Sequence, residues 1–159
     1  MFDTHIDPSL GKPHLYVELA SSLHALIVGE SDWIANLANA SALLYQTLPD
    51  LNWAGFYLLK NDELVVGPFQ GKPACVRIAI GKGVCGTAAA RRETIIVPNV
   101  DEFPGHIACD TASKSEIVVP MIRRDSLIGV LDLDSPKLGR FDAADREGLE
   151  KFVRVLLGS

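Results

Sequence analysis

The residues of this chain with the most obvious chemistry are its three cysteines, Cys75, Cys85 and Cys109, which all fall in one central stretch. Their settings are Ala74-Cys75-Val76, Gly83-Val84-Cys85-Gly86 and His106-Ile107-Ala108-Cys109-Asp110. Further on, Asp132 and Asp134 interrupt an apolar run over Ile128-Gly129-Val130-Leu131-Asp132-Leu133-Asp134. A thiolate is a nucleophile and a two-electron reductant. A carboxyl held among apolar groups has its pKa raised and can deliver a proton near neutrality. Together these are the parts of a thiol reductant that needs a proton donor. They also fit an inert core, since free cysteine is among the most buried residue types.

Each candidate has its own setting. Cys109 lies in a polar loop near His106, whose protonated form would lower the thiol pKa, and beside Asp110, whose charge would oppose that. Cys75 stands where a Gly-Pro-rich loop enters a strand, a junction with room to move toward a partner. Cys85 sits at a glycine-framed helix start, where unpaired N–H groups favour a thiolate or a bound anion. Strand alternation puts Ile128, Val130, Asp132 and Asp134 on one face and Gly129, Leu131 and Leu133 on the other. Asp is disfavoured in strands, and two carboxylates on one face repel. Glu116 is a third carboxyl, at the start of the neighbouring strand. The competing reading makes 132–134 the solvated end of a strand leading into Ser135-Pro136. Trp53 and Tyr57, four apart, share a strand face as a core or as the wall of a small-ligand pocket. His106 and Cys109 lack a second pair of ligand spacing, so no metal site is expected. Gly81-Lys82-Gly83 is too weak to mark a phosphate loop.

These residues must be positioned by a fold with two alternations of period. Pro13 opens a helix carrying Leu15, Leu19, Leu23, Leu26 and Ile27 as far as Val28, with Gly29 ending it. Ser31 is expected to cap a second helix running to Leu48, apolar on most of its circumference and so well buried. The period then changes to two. Strands are predicted over 53–59 and from Leu64, with a turn at Asn61-Asp62-Glu63 and a loop over Gly67-Gly71. Further strands are expected at 75–80, 94–97, 116–121 and 127–133, with a short helix from Thr87 to Arg91 and a polar loop over 101–113. Asp142 should cap a last helix bearing Leu149, Phe152, Val153, Leu156 and Leu157. Residues 1–11, with Asp7-Pro8-Ser9 and Gly11, read as a lead-in. Successive hairpins with helices on a face give an α+β fold with a largely antiparallel sheet.

Composition bounds the function. The 159 residues fit one domain with a substantial core, and 48% hydrophobic with 22% charged residues is ordinary for a globular chain. A net charge of -5 with scattered basic residues argues against a nucleic-acid partner. No apolar run approaches a membrane span, and the first residues lack a signal-peptide pattern, so the expected compartment is the cytoplasm. An odd count of three cysteines in a reducing compartment argues against a structural disulfide framework, and the lack of a Cys-x-x-Cys pair argues against a thioredoxin-type motif and a zinc ribbon, leaving inert thiols or a transient bridge.

Taken together, six segments resemble the GAF-domain free methionine-(R)-sulfoxide reductases. They are Asn52-Trp53-Ala54-Gly55-Phe56-Tyr57, Gly67-Pro68-Phe69-Gln70-Gly71, Gly83-Val84-Cys85-Gly86, Gly105-His106-Ile107-Ala108-Cys109-Asp110, Ser115-Glu116-Ile117-Val118-Val119-Pro120 and Gly129-Val130-Leu131-Asp132-Leu133-Asp134-Ser135. The resemblance implies a single GAF domain over residues 30–159, with a lead-in and helix over 1–29. It implies that Cys109 attacks the sulfoxide and that Cys75 recycles it, with Cys85 the other candidate. Trp53, Tyr57, Glu116, Asp132 and Asp134 would line the substrate pocket. No bound cofactor is implied, and thioredoxin is the expected external reductant. A homodimer is compatible with the resemblance and required by no sequence feature. The rival from another class is a GAF domain that senses a small molecule without catalysis.

Overall fold

The computed structural model describes residues 5–7, 9–107 and 109–158. Met1–Thr4 and Pro8 of the expected lead-in, Ala108 of the loop motif and the terminal Ser159 lie outside the described residues. The elements follow the order α1 (Lys12–Ile27), α2 (Trp33–Thr47), β1 (Trp53–Lys60), β2 (Glu63–Gly71), β3 (Arg77–Ala79), α3 (Gly83–Arg91), β4 (Ile95–Val97), β5 (Ser115–Arg123), β6 (Ser126–Ser135) and α4 (Ala143–Leu157), with one 3-10 turn at Val100–Glu102. The strands form one antiparallel sheet in the order β3-β2-β1-β6-β5-β4. This is the expected α+β architecture.

One face of the sheet carries the main core. Phe56, Ile117, Val119, Leu131 and Leu133 point from the strands into Leu19 and Leu23 of α1, Leu37 and Leu44 of α2, and Leu149 and Phe152 of α4. The helical stripe of α1 closes at Ile27, and the Val28 N–H donates to the His24 carbonyl before Gly29 turns the chain at φ 82°. The cap of α2 is Asp32 rather than Ser31. Its carboxylate accepts the Ala35 N–H at 2.8 Å and adds a negative charge at the helix start. Contrary to expectation, α2 is not buried on most of its surface. It covers the sheet along one side only, and Ile34 and Tyr45 face outward.

A buried polar tie fastens α1 to α4. Asp145, fully buried, receives the Lys12 ammonium at 2.6 Å, the Tyr16 hydroxyl at 2.8 Å and the Arg140 guanidinium at 3.3 Å. It also accepts the Asp142 N–H, completing a capping box with Asp142.

Two bulges set which side chains reach the opposite face. Between the pairs Gly55↔Phe69 and Tyr57↔Val66, Gly67 and Pro68 of β2 oppose the single residue Phe56. The stretch expected as a loop is therefore strand, because a bulge accepts a proline that a regular ladder cannot. Between Met121↔Gly129 and Ile122↔Leu127, β6 carries Ile128 as an extra residue. This turns Ile128 to the main core, away from the face of Val130 where alternation put it. Gly129 is required there: a Cβ would stand 2.3 Å from the Tyr57 carbonyl oxygen. Asn61-Asp62 and Arg124-Asp125 make two-residue hairpin turns, all four at positive φ.

Candidate active site

The second face of the sheet is covered by α3, by Lys72–Ala74 and by residues of the later loop that include His106, Cys109 and Ser113. Beyond the bulge, β6 alternates strictly, so Val130, Asp132 and Asp134 share this face while Leu131 and Leu133 enter the main core. The ladder sets Glu116 opposite Asp134, Asp132 opposite Gly55, and Asp134 opposite Trp53. A cavity of about 50 Å³ lies above these residues, walled by Trp53, Tyr57, Ile78 and Val84. Glu116, Asp132 and Asp134, the expected acidic residues, all line it, as do Cys85, His106 and Cys109.

The carboxyls share one desolvated site. Glu116 and Asp132 are 6% and 5% exposed. Burial, then the facing Asp134, pushes Glu116 up to about 8. Burial and Glu116 raise Asp132 well above the usual carboxylate range, and burial and Asp132 do the same to Asp134. Such a cluster holds protons at neutral pH and can donate them. The Oδ1 of Asp132 is buried and has no hydrogen-bond partner among the described residues. A buried polar atom of this kind requires a donor from a bound molecule or water.

Cys85 is the third residue of α3 and fully enclosed. Its Sγ stands 3.9 Å from Glu116 Oε1, to which the thiol donates. Burial and the neighbouring carboxyls push its pKa well up, so this thiol stays protonated. The helix start, expected to favour a thiolate, is outweighed by burial and then by the acidic neighbours. Cys85, Glu116 and Asp132 offer atoms within 4.8 Å of one another, a grouping among the described residues that their sequence spacing does not reveal.

Cys75 and Cys109 form a disulfide, with Cα atoms 5.8 Å apart and a sequence separation of 34. Cys109 is exposed and lines the cavity, and Cys75 is half-buried beside it. His106 Nε2 lies 3.7 Å from Glu116 Oε2. Desolvation lowers the His106 pKa against the opposing pull of Asp101, which favours the neutral imidazole at pH 7.

Sequence reasoning gave no role to several residues that build the site. The Asn52 amide donates to Asp110 Oδ2 at 3.2 Å and to Ser113 Oγ at 3.0 Å, pinning the loop of Cys109. The Ala112 N–H and Asn52 hold the Asp110 carboxylate below its ordinary pKa. Lys72 and Lys82 stand on the rim. Asn52 heads one of the six segments that carry the family resemblance, but its residue type and place before a strand do not by themselves mark a role.

The GAF-domain family model matches residues 32–156, which defines the class of the fold. A free methionine-R-sulfoxide reductase of Escherichia coli is 54% identical over 147 residues, covering 92% of this chain and 89% of the relative. The structure of a free methionine-R-sulfoxide reductase from Neisseria meningitidis in complex with its substrate superposes with a TM-score of 0.95 at 43% identity, over 99% of this chain and 95% of that one. A structure described as a putative GAF sensor protein from Burkholderia vietnamiensis is 60% identical with a TM-score of 0.91, over 93% and 94% of the two chains. The chain belongs to the GAF-domain free methionine-R-sulfoxide reductase family.

Proposed function

We propose that this protein reduces free methionine-(R)-sulfoxide to methionine with a cysteine thiolate. The observation that carries this reading is a disulfide, Cys75–Cys109, whose Cys109 lines the same cavity as three protonation-prone carboxyls. The protein is a thiol-dependent oxidoreductase, and its substrate is the free amino acid sulfoxide.

The steps balance as follows. A carboxyl, Glu116 or Asp134, protonates the sulfoxide oxygen, and the Cys109 thiolate attacks sulfur. Oxygen passes to Cys109 as a sulfenic acid, and methionine leaves with its sulfur reduced by two electrons. Cys75 then displaces the hydroxyl as water, forming the disulfide. An external dithiol, thioredoxin in this proposal, takes up the oxidation and restores both thiols. No bound cofactor enters these steps. Glu116, protonated to about pH 8, is the better placed acid. The unpartnered Asp132 Oδ1 suits the ammonium of the substrate, whose charge would draw that carboxyl into its ionised form. Backbone N–H groups at the start of α3 suit its carboxylate. Trp53 and Tyr57 pack on the methyl and methylene groups. The small cavity favours a free amino acid over a sulfoxide within a chain.

Residues 30–159 form the catalytic unit in this reading, with 1–29 as its lead-in and supporting helix, and the cytoplasm supplies the reductant. Among the described residues no helix is long and apolar enough to cross a membrane. The test is thioredoxin-driven turnover with the free R epimer, the free S epimer and a peptide-bound sulfoxide. Turnover of the free R epimer alone supports the proposal. No turnover by reduced, folded protein transfers the site to a ligand-binding sensor.

A further inference from the structure

The two aromatic residues of the cavity wall touch more than the cavity. The Trp53 Nε1–H donates to the carbonyl of Lys72 at 3.1 Å, and the Tyr57 hydroxyl donates to the carbonyl of Cys75 itself at 3.0 Å. Both carbonyls belong to the connection between β2 and β3, which runs from Lys72 to Val76 and contains Cys75. The far end of that connection is tied by one backbone bond, Val66 N–H to the Val76 carbonyl at 2.9 Å. Between Gly71 and Val76, the described backbone bonds outside the strand ladders include none to residues 72–75. Besides the disulfide and an exposed Lys72–Asp110 ion pair at 3.9 Å, the thiol loop is held by two side chains from β1. Both rings are nearly buried and stacked on one another, with centroids 5.8 Å apart. They are rigid posts set on a central strand.

We infer that Tyr57 is a positioning residue for the disulfide step, holding the backbone of Cys75 where its sulfur can reach Cys109. The physical argument is one of effective concentration. Once the disulfide exists, the covalent bond holds the loop whether or not the tether is present. In the dithiol state the covalent bond is gone and the hydrogen bond from Tyr57 limits how far Cys75 wanders. Removing the hydroxyl therefore gives freedom mainly to the dithiol state, which makes closure less favourable. A three- to tenfold change in the closure equilibrium is about 0.7–1.4 kcal/mol, inside the range of a neutral hydrogen bond.

This inference rests on the reading of Cys75 as the recycling thiol, and its test needs no substrate. The reduced full-length protein is equilibrated with glutathione buffers. Oxidised glutathione and the protein dithiol exchange to give the protein disulfide and two reduced glutathiones, so one S–S bond breaks, one forms and two protons are transferred. The fraction closed is read by trapping free thiols and counting them by mass, with Cys85 as a constant background of one. In Tyr57→Phe, the equilibrium constant for closure is expected to fall about three- to tenfold, because the ring stays and only the hydroxyl is lost. A wild-type constant in folded Tyr57→Phe overturns the inference, as does a higher one. If that variant does not fold, Tyr57→Met decides in its place, since it also removes the hydroxyl donated to Cys75 and fills the space with a flexible apolar side chain. Failure of wild-type protein to reduce methionine sulfoxide would strike the proposed function instead and would leave this equilibrium unaffected.

Discussion

Glu116 on β5 and Asp134 on β6 are direct register partners, so two carboxyls face each other across one rung of the ladder, with Asp132 on the same face one alternation along. Like charges directly opposite each other destabilise a sheet, and burial adds to the cost of ionising either. Burial and mutual repulsion therefore favour the protonated forms, which ties the chemistry of the site to its stability.

The sign of the pH dependence follows. The folded-state pKa of Glu116 is raised from 4.5 to about 8. Folded protein therefore binds its proton more tightly than unfolded protein, and the contribution to stability is fully present below about pH 4.5. It is lost as pH rises through 8. Urea denaturation between pH 5 and 9 should show a decline that is shallower in Glu116→Gln. An identical slope in the variant would mean that Glu116 does not titrate there.

Activity should share that limb. If Glu116 delivers the proton to the sulfoxide, kcat/KM falls above about pH 8, and the apparent value belongs to the coupled cluster rather than to one residue. Glu116→Gln should lose about 100-fold or more in the chemical step, the usual scale of general acid catalysis. Retention of the full rate would transfer the role to Asp134.

The thiol roles separate in single-turnover experiments. Cys109→Ser should release no methionine. Cys75→Ser should release one equivalent and then fail to be recycled by thioredoxin. Cys85→Ala, by contrast, should keep thioredoxin-driven turnover, since Cys85 is buried beneath the carboxyls while Cys75 and Cys109 are bonded to each other. Sustained turnover by Cys75→Ser would assign the recycling role to Cys85.

Stability can be tested far from the site. Asp145→Ala would strand the nearly buried Arg140 and Tyr16 and dismantle the capping box of α4. The expected cost is about 3–5 kcal/mol, read from denaturant unfolding. Gly148→Ala should also destabilise, by about 1–3 kcal/mol, because its Cβ would fall 2.1 Å from the Tyr16 ring. A change below about 0.5 kcal/mol in either would mean that the α1–α4 contact relaxes freely.

Much of the fold was legible because its signals are local. Leu15, Leu19 and Leu23 repeat with helical period, and Asp142 sits where a cap must be. The 132–134 alternation placed both aspartates on one face, where they line the cavity. The errors are those of long-range context. Pro68 looks like a loop until Phe56 is seen opposite the bulge, and Ile128 changes face because β5 is one residue shorter. The proximity of Cys85 to Glu116, 31 residues apart, and of Asn52 to Asp110, 58 apart, is made by the sheet and leaves no trace in spacing.

The alternation along β6 has a last consequence. Leu131 and Leu133 anchor one side of the sheet while Asp132 and Asp134 serve the other. A slip of one residue would drive both acids into the greasy interior and strip the core of its leucines. Folding correctly and being armed for catalysis are thus proofread by the same strand, and a mispaired molecule is eliminated as unstable before it can circulate as a defective enzyme.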